Sequence, residues 1–296
     1  MQYRLSILLS FLFFTGSLLG KGNSCEIQGH RGCRARYPEN TLPAFQAAIY
    51  ARADAIELDL LLTRDGHFVI YHDEFINDKL VAYRDGRSLT SLGPLVYSLT
   101  FAEVKEFDCG LKTNPAFPQQ RAIPGTPIPT LEELFALIRT SKHPHAKKIR
   151  VNLEIKRDPL HPEYTASPAE LVDRLLPLVA ASGLPERISY SSFDPEVLFE
   201  LRKRAPEATI AFLQENTPVL DNMLETAAQL KAQIVSPKSI FIQSPEQIRE
   251  MQEQGFKVVL WTVNEPEEWK KFIEWGVDGL ITDDPAALRH YLKTHK

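Results

Sequence analysis

Cysteine, glycine and positive charge are all in short supply in this chain. Three cysteines among 296 residues are too few for a disulfide-stapled scaffold. Fourteen glycines and 21 prolines, scattered without a period, exclude collagen-like and low-complexity classes. A formal charge of −4 provides no basic excess for nucleic acid, so none is expected as a partner. The run Leu5–Phe14 falls well short of the ~20 apolar residues of a membrane-spanning helix. What is present is 44% hydrophobic and 24% charged, enough to bury the core of one large domain or two ordinary ones. The same composition excludes disorder as the main state.

Residues 1–24 read as a secretory signal peptide. Arg4 precedes the apolar run, and the small, polar Thr15-Gly16-Ser17 follows it, the order of parts in an export leader. The protein is therefore expected to be exported, periplasmic or secreted. Cys25 stands just after small residues, where a bacterial lipoprotein is lipidated, although Gly22-Asn23-Ser24 lacks the usual preceding apolar residue. Two features would tie the chain to a membrane: a lipid anchor at Cys25, or residues 1–24 retained as an uncleaved signal anchor. Export also permits a Cys33–Cys109 disulfide.

From Cys25 to the C-terminus, strand-like runs alternate with helix-like ones. The strand candidates are Glu26–His30, Ala55–Leu61, Ile149–Lys156, Arg187–Ser192, Thr209–Leu213, Ala232–Val235, Lys257–Val263 and Val277–Thr282. Helix starts between them are marked by Thr130-Leu131-Glu132-Glu133, Ser167-Pro168-Ala169-Glu170 and Ser244-Pro245-Glu246-Gln247, all with capping-box spacing. Asp194-Pro195 and Asn264-Glu265-Pro266 read as further starts, as does Pro38-Glu39-Asn40-Thr41 with Asn40 as the cap. Such alternation predicts parallel strands joined by crossover helices. Eight units in this length predict an α/β fold, a single (β/α)8 TIM barrel spanning residues 25–296. An open doubly wound sheet is disfavoured, because no glycine-rich phosphate loop follows the first strand. Thr63-Arg64-Asp65-Gly66 predicts a hairpin turn with His67–His72 returning. Residues 73–129 are expected to form a small insertion or lid after the second strand.

Barrel enzymes draw their reactive groups from the C-terminal ends of strands. Those ends carry His30-Arg31, Glu57-x-Asp59, His72, Glu154-x-Lys156, Ser191-Ser192-Phe193, Trp261 and Thr282-Asp283. Two-residue spacing puts Glu57 and Asp59 on one side of their strand, with Ile56, Leu58 and Leu60 on the other. The same parity turns Asn152, Glu154 and Lys156 inward. Three carboxylates aimed at a barrel axis need compensating charge. A hard cation, Ca²⁺ or Mg²⁺, supplies it; the alternative is an internal ion-pair network with Arg31 and Lys156. His30 and His72 form a candidate acid–base pair. The other six histidines are assigned no role. Lys142, Lys147, Lys148 and Arg150 are expected to solvate a loop at the barrel's opposite end.

These residues also form a recognisable series. Gly29-His30-Arg31-Gly32 with Pro38-Glu39-Asn40-Thr41-Leu42 resembles the opening signature of the glycerophosphodiester phosphodiesterase family. The resemblance continues in order through Glu57-Leu58-Asp59, His72-Asp73, Glu154-Ile155-Lys156, Ser192-Phe193, Trp261-Thr262-Val263-Asn264 and Asp278–Pro285. It implies a distorted (β/α)8 barrel with an insertion after the second strand, and a divalent metal on Glu57, Asp59 and Glu154. His30 and His72 match the catalytic pair, while Arg31 and Lys156 match phosphate-contacting cations. Glu39 matches an acid that helps bind metal or orient His30. Phe193 and Trp261 are candidates for packing the substrate's carbons. The implied reaction is metal-dependent hydrolysis of glycerophosphodiesters to sn-glycerol 3-phosphate and an alcohol. Two alternatives stay open: a phospholipase D-like enzyme acting on lysophospholipid or sphingomyelin, and a non-enzymatic surface-binding lipoprotein.

Overall fold

The computed structural model describes residues 25–89, 91–215 and 220–295; the expected leader, residues 1–24, lies outside them. The first half contains β1 (Glu26–Gly29), α1 (Leu42–Tyr50), β2 (Ala55–Leu62), β3 (Phe68–Ile70), β4 (Ala82–Tyr83), α2 (Phe101–Val104), β5 (Phe107–Asp108) and α3 (Leu131–Thr140). The second half is strictly alternating: β6 (Arg150–Ile155), α4 (Pro168–Ala181), β7 (Ile188–Ser192), α5 (Pro195–Arg204), β8 (Thr209–Gln214) and α6 (Leu220–Gln229). It finishes with β9 (Ile234–Pro237), α7 (Pro245–Glu253), β10 (Lys257–Leu260), α8 (Pro266–Glu274), β11 (Gly279–Thr282) and α9 (Pro285–Thr294).

Strand order is β1-β11-β10-β9-β8-β7-β6-β2-β3, and β1 also pairs with β2. That last pairing closes eight parallel strands into a barrel. β3 lies antiparallel on the outer end of β2, the return arm of the predicted hairpin. Ile56, Leu58 and Leu60 of β2 and Val151, Leu153 and Ile155 of β6 belong to the apolar layer between sheet and helices. The opposite parity of the same strands therefore faces the axis. Between β3 and α3 the chain pairs β4 with β5 and gathers a second apolar cluster that includes Val69, Ile76, Val81, Val104, Phe107 and Ile128.

Several local expectations are corrected. Thr41, not Asn40, caps α1, accepting from the Ala44 amide, while α8 starts at the expected Asn264-Glu265-Pro266 with Glu265 in the cap position. Thr130 and Glu133 complete their capping box. Ser167 caps α4 alone, because Glu170 is engaged by Arg174 at 2.8 Å. His30 and Lys156 fall just beyond β1 and β6, and Trp261 just beyond β10. Cys33 and Cys109 are free, buried thiols, so the permitted disulfide is not formed. Burial pushes the Cys33 thiol up to about 12. The Lys142, Lys147, Lys148 and Arg150 group is exposed on the approach to β6, at the barrel's N-terminal end.

Candidate active site

One cavity of about 340 Å³ opens at the C-terminal ends of the strands, and its lining includes His30, Arg31, Glu57, His72, Glu154, Lys156, Phe193 and Trp261. Eight residues chosen from sequence thus meet in one place. Asp59 is almost fully buried, and its carboxylate comes within 4.8 Å of Glu57 and Glu154, each offering one oxygen. The parallel register that sets Glu57 beside Asn152 and Asp59 beside Glu154 builds this cluster. None of the other six histidines lines the cavity.

The turn after β1 is tight. A side chain at Gly29 would meet the Gly32 carbonyl oxygen at 2.3 Å, and Gly32 itself has φ +88° against α1. Arg31 takes φ 50°, an uncommon conformation for a non-glycine residue and a mark of local strain. In return its amide donates to Glu57 Oε2 at 2.9 Å, while its guanidinium reaches Glu39 at 2.5 Å and Asp59 at 3.3 Å. Asn40, also at positive φ, donates its amide to Asp59 at 2.8 Å. Lys156 lies 2.9 Å from Glu154 and 3.8 Å from Asp59.

The ion-pair alternative is thus partly realised, but it does not balance the charge. Three buried carboxylates face two cations, and one of those, Arg31, is shared with Glu39. Burial, then the charges of Asp59 and Glu154, push Glu57 well above the usual carboxylate range. Burial raises Glu154 as well, with Lys156 opposing and Asp59 adding. Asp59 goes the other way: burial would raise it, but His72, Arg31, Lys156 and the Asn40 amide hold it well below. Buried acids pushed upward by burial and by one another lack compensating positive charge, and an all-oxygen donor set suits a hard divalent cation. The group therefore fits the residues. Ser191 Oγ, buried without a hydrogen-bond partner, also lines the cavity, leaving an unsatisfied group for a bound ligand.

Each imidazole is held by a carboxylate. His30 Nδ1 lies 2.7 Å from Asp283 Oδ1, and His72 Nδ1 lies 2.6 Å from Asp73 Oδ1. Asp283 is itself fixed by Arg34 Nε at 2.6 Å and the Asn264 amide at 2.7 Å. Burial pulls His30 down to about 4, although the Asp283 hydrogen bond opposes this. The ring is neutral at pH 7, with Nδ1–H donated to Asp283 and Nε2 left as a lone pair. Glu39 makes no direct hydrogen bond to His30. It grips Arg31 and, at 3.5 Å, Arg34, so it reaches the imidazole through Arg34 and Asp283 and stands apart from the carboxylate cluster.

Asp73, Arg34 and Asn264 received no site role from sequence, Asp283 appeared only as a strand-end residue, and Asn40 only as a helix cap. Barrel closure could have revealed the role of Asp283. The β1–β11 register pairs Gly29 with Thr282, which sets His30 beside Asp283. Asp283→Ala should lower kcat by part of the ~10²–10⁴-fold that acid–base catalysis contributes. The acid limb of the kcat/KM profile should also move to lower pH, because the lost hydrogen bond had been raising the His30 pKa. A pH–rate profile checks both.

Paired, carboxylate-oriented imidazoles over an acidic, cation-edged cavity at a barrel mouth define a hydrolase of phosphoric esters. Residues 30–287 match the model of the Glycerophosphoryl diester phosphodiesterase family. The chain belongs to this family and is a phosphoric diester hydrolase. It is 34% identical over 260 residues to a glycerophosphodiester phosphodiesterase of Caldanaerobacter subterraneus subsp. tengcongensis, covering 88% of this chain and 94% of that protein. A solved structure from Silicibacter pomeroyi that carries the family's name superposes with TM-score 0.84 at 30% identity, covering 91% of this chain and 93% of that one. The fold is also shared, at TM-score 0.74 and 22% identity, with a phosphodiesterase of Oleispira antarctica solved in complex with sn-glycerol-3-phosphate; 90% of this chain and 96% of that one are covered.

Proposed function

We propose that this site hydrolyses glycerophosphodiesters to sn-glycerol 3-phosphate and an alcohol, with Ca²⁺ or Mg²⁺ held by Glu57, Asp59 and Glu154. The observation that carries this reading is the shared cavity. Two imidazoles, each tied through Nδ1 to a carboxylate, open onto the same space as the three acids and the cations Arg31 and Lys156. The bound cation supplies Lewis-acid stabilisation of charge on the phosphoryl oxygens.

The chain's own groups account for the proton transfers. His30 Nε2 takes the proton of the glycerol 2-hydroxyl as that oxygen attacks phosphorus. His72 donates a proton to the departing alcohol oxygen as its bond to phosphorus breaks. The product of this step is a cyclic phosphate. In the second step His72 takes a proton from water as the water oxygen bonds to phosphorus, and the bond from phosphorus to the 2-oxygen breaks as His30 returns a proton to that oxygen. Arg31 and Lys156 neutralise the phosphate throughout. Phe193 and Trp261, edge to face with ring centroids 5.4 Å apart, pack against the glycerol carbons.

Purified protein with Ca²⁺ or Mg²⁺ should release sn-glycerol 3-phosphate from several glycerophosphodiesters in a coupled dehydrogenase assay. Failure to release it from any of them would overturn the reading. The apolar leader further supports export. A lipid anchor on Cys25, a residue 5% exposed within the apolar layer, would require its side chain to leave that layer.

A further inference from the structure

The rim of the cavity opposite His72 holds two charges that the proposed reaction leaves unused. Glu215 follows directly on β8 and Lys238 directly on β9. Glu215 lines the same cavity as the two histidines, and Lys238 Nζ lies 2.9 Å from its Oε1. The ammonium also sits 5.3 Å from the centre of the Trp261 ring. Trp261 is fixed in turn by donating Nε1–H to the Ser236 carbonyl at 2.9 Å. The next residue, Thr262, has its hydroxyl 3.4 Å from His30 Nδ1. Trp261 thus spans from the charge pair at the ends of β8 and β9 toward His30, where the proposed reaction puts the glycerol.

We propose that Glu215, held by Lys238, reads the terminal hydroxyl of the glycerol and so selects glycerophosphodiesters with a free glycerol end over acylated lysophospholipids. The inference rests on the proposed function and deepens it. With its 2-hydroxyl at His30 and its carbons on Phe193 and Trp261, glycerol points its remaining hydroxyl along the wall toward this pair. A hydroxyl is both donor and acceptor, matching a carboxylate beside an ammonium, and the ion pair uses one of four lone-pair positions and one of three N–H bonds. A cationic head group fits poorly, because Lys238 already neutralises Glu215 and occupies the neighbourhood of the Trp261 ring. An acyl ester at the terminal oxygen would remove the donor and leave the carboxylate facing an ester.

The test compares wild type, Glu215→Ala and Glu215→Gln on three substrates: glycerophosphocholine, its analogue lacking only the terminal hydroxyl, and monomeric 1-acyl lysophosphatidylcholine. Wild type should favour glycerophosphocholine over the other two by at least ~10-fold in kcat/KM. This is well below the ~10⁴–10⁵ of an enclosed hydroxyl site, because the pair is partly exposed. Glu215→Ala should erase the preference mainly through KM, and Glu215→Gln should retain part of it. Equal use of the three substrates by wild type overturns the inference without any variant. So does a Glu215→Ala loss confined to amine-bearing head groups, seen by adding glycerophosphoglycerol to the panel. Wild type that cleaves no diester overturns the proposed function itself, a separate result.

Discussion

Turnover should fall by ~10²–10⁴-fold when either His30 or His72 becomes alanine, the usual contribution of a positioned acid or base. Both rings open onto the cavity, and each has its Nδ1 tied to a carboxylate, so the loss removes an oriented group that bulk water replaces poorly. The two variants should separate on the leaving group. A p-nitrophenyl ester of glycerol phosphate departs without protonation. It should restore much of the first step in His72→Ala and little in His30→Ala, which still lacks the base. Steady-state kinetics on the two kinds of ester measures this. Full activity in either variant would remove that residue from the mechanism, and equal rescue of both would overturn the division of roles.

Removal of divalent cation should be comparably severe. Chelation should abolish turnover, and Ca²⁺ or Mg²⁺ should restore it. Glu57→Ala should weaken cation affinity and activity together, since Glu57 is the one of the three carboxylates that pairs with no side-chain cation among the described residues. The pH dependence has a definite sign. Burial and mutual charge raise both Glu57 and Glu154, Glu57 the more strongly, in the cation-free protein, so as pH falls they take up protons that a cation must displace. Cation affinity should therefore rise with pH, and binding should release protons. The cation-free fold binds these protons more tightly than the unfolded chain does, so these groups make it less stable as pH rises past the ordinary carboxylate range. The increase in Tm on adding cation should accordingly be larger at pH 8 than at pH 5. Calorimetry in buffers of different protonation enthalpy, with thermal melts, tests each point. Full activity in excess chelator would leave the carboxylates as an ion-pair network alone.

Much of this arrangement was legible because strand parity is a local rule. Glu57 and Asp59, two apart on a strand, must share a face, and apolar Ile56, Leu58 and Leu60 decide which face is inner. Long-range register was not legible in the same way. Asp283 stands 253 residues from His30, and their contact exists only because the barrel closes. Asn40 was misread as a cap, and Asn264 passed for part of a helix start, for a related reason. An asparagine ahead of a helix is a ready cap, but here one amide serves Asp59 and the other Asp283. Helix-start statistics cannot see a carboxylate on another strand. Glu215 and Lys238 look like ordinary solvated loop charges until β8 and β9 are placed side by side.

The seam between β1 and β11 also bears on when catalysis can begin. A nascent chain emerging from the ribosome already contains Glu57, Asp59 and Glu154 by residue 154, yet His30 has no Asp283 to aim it until β11 docks. Proteolytic clipping after α8 would likewise remove Asp283 while sparing the cluster. Full activity thus requires that synthesis has run past β11.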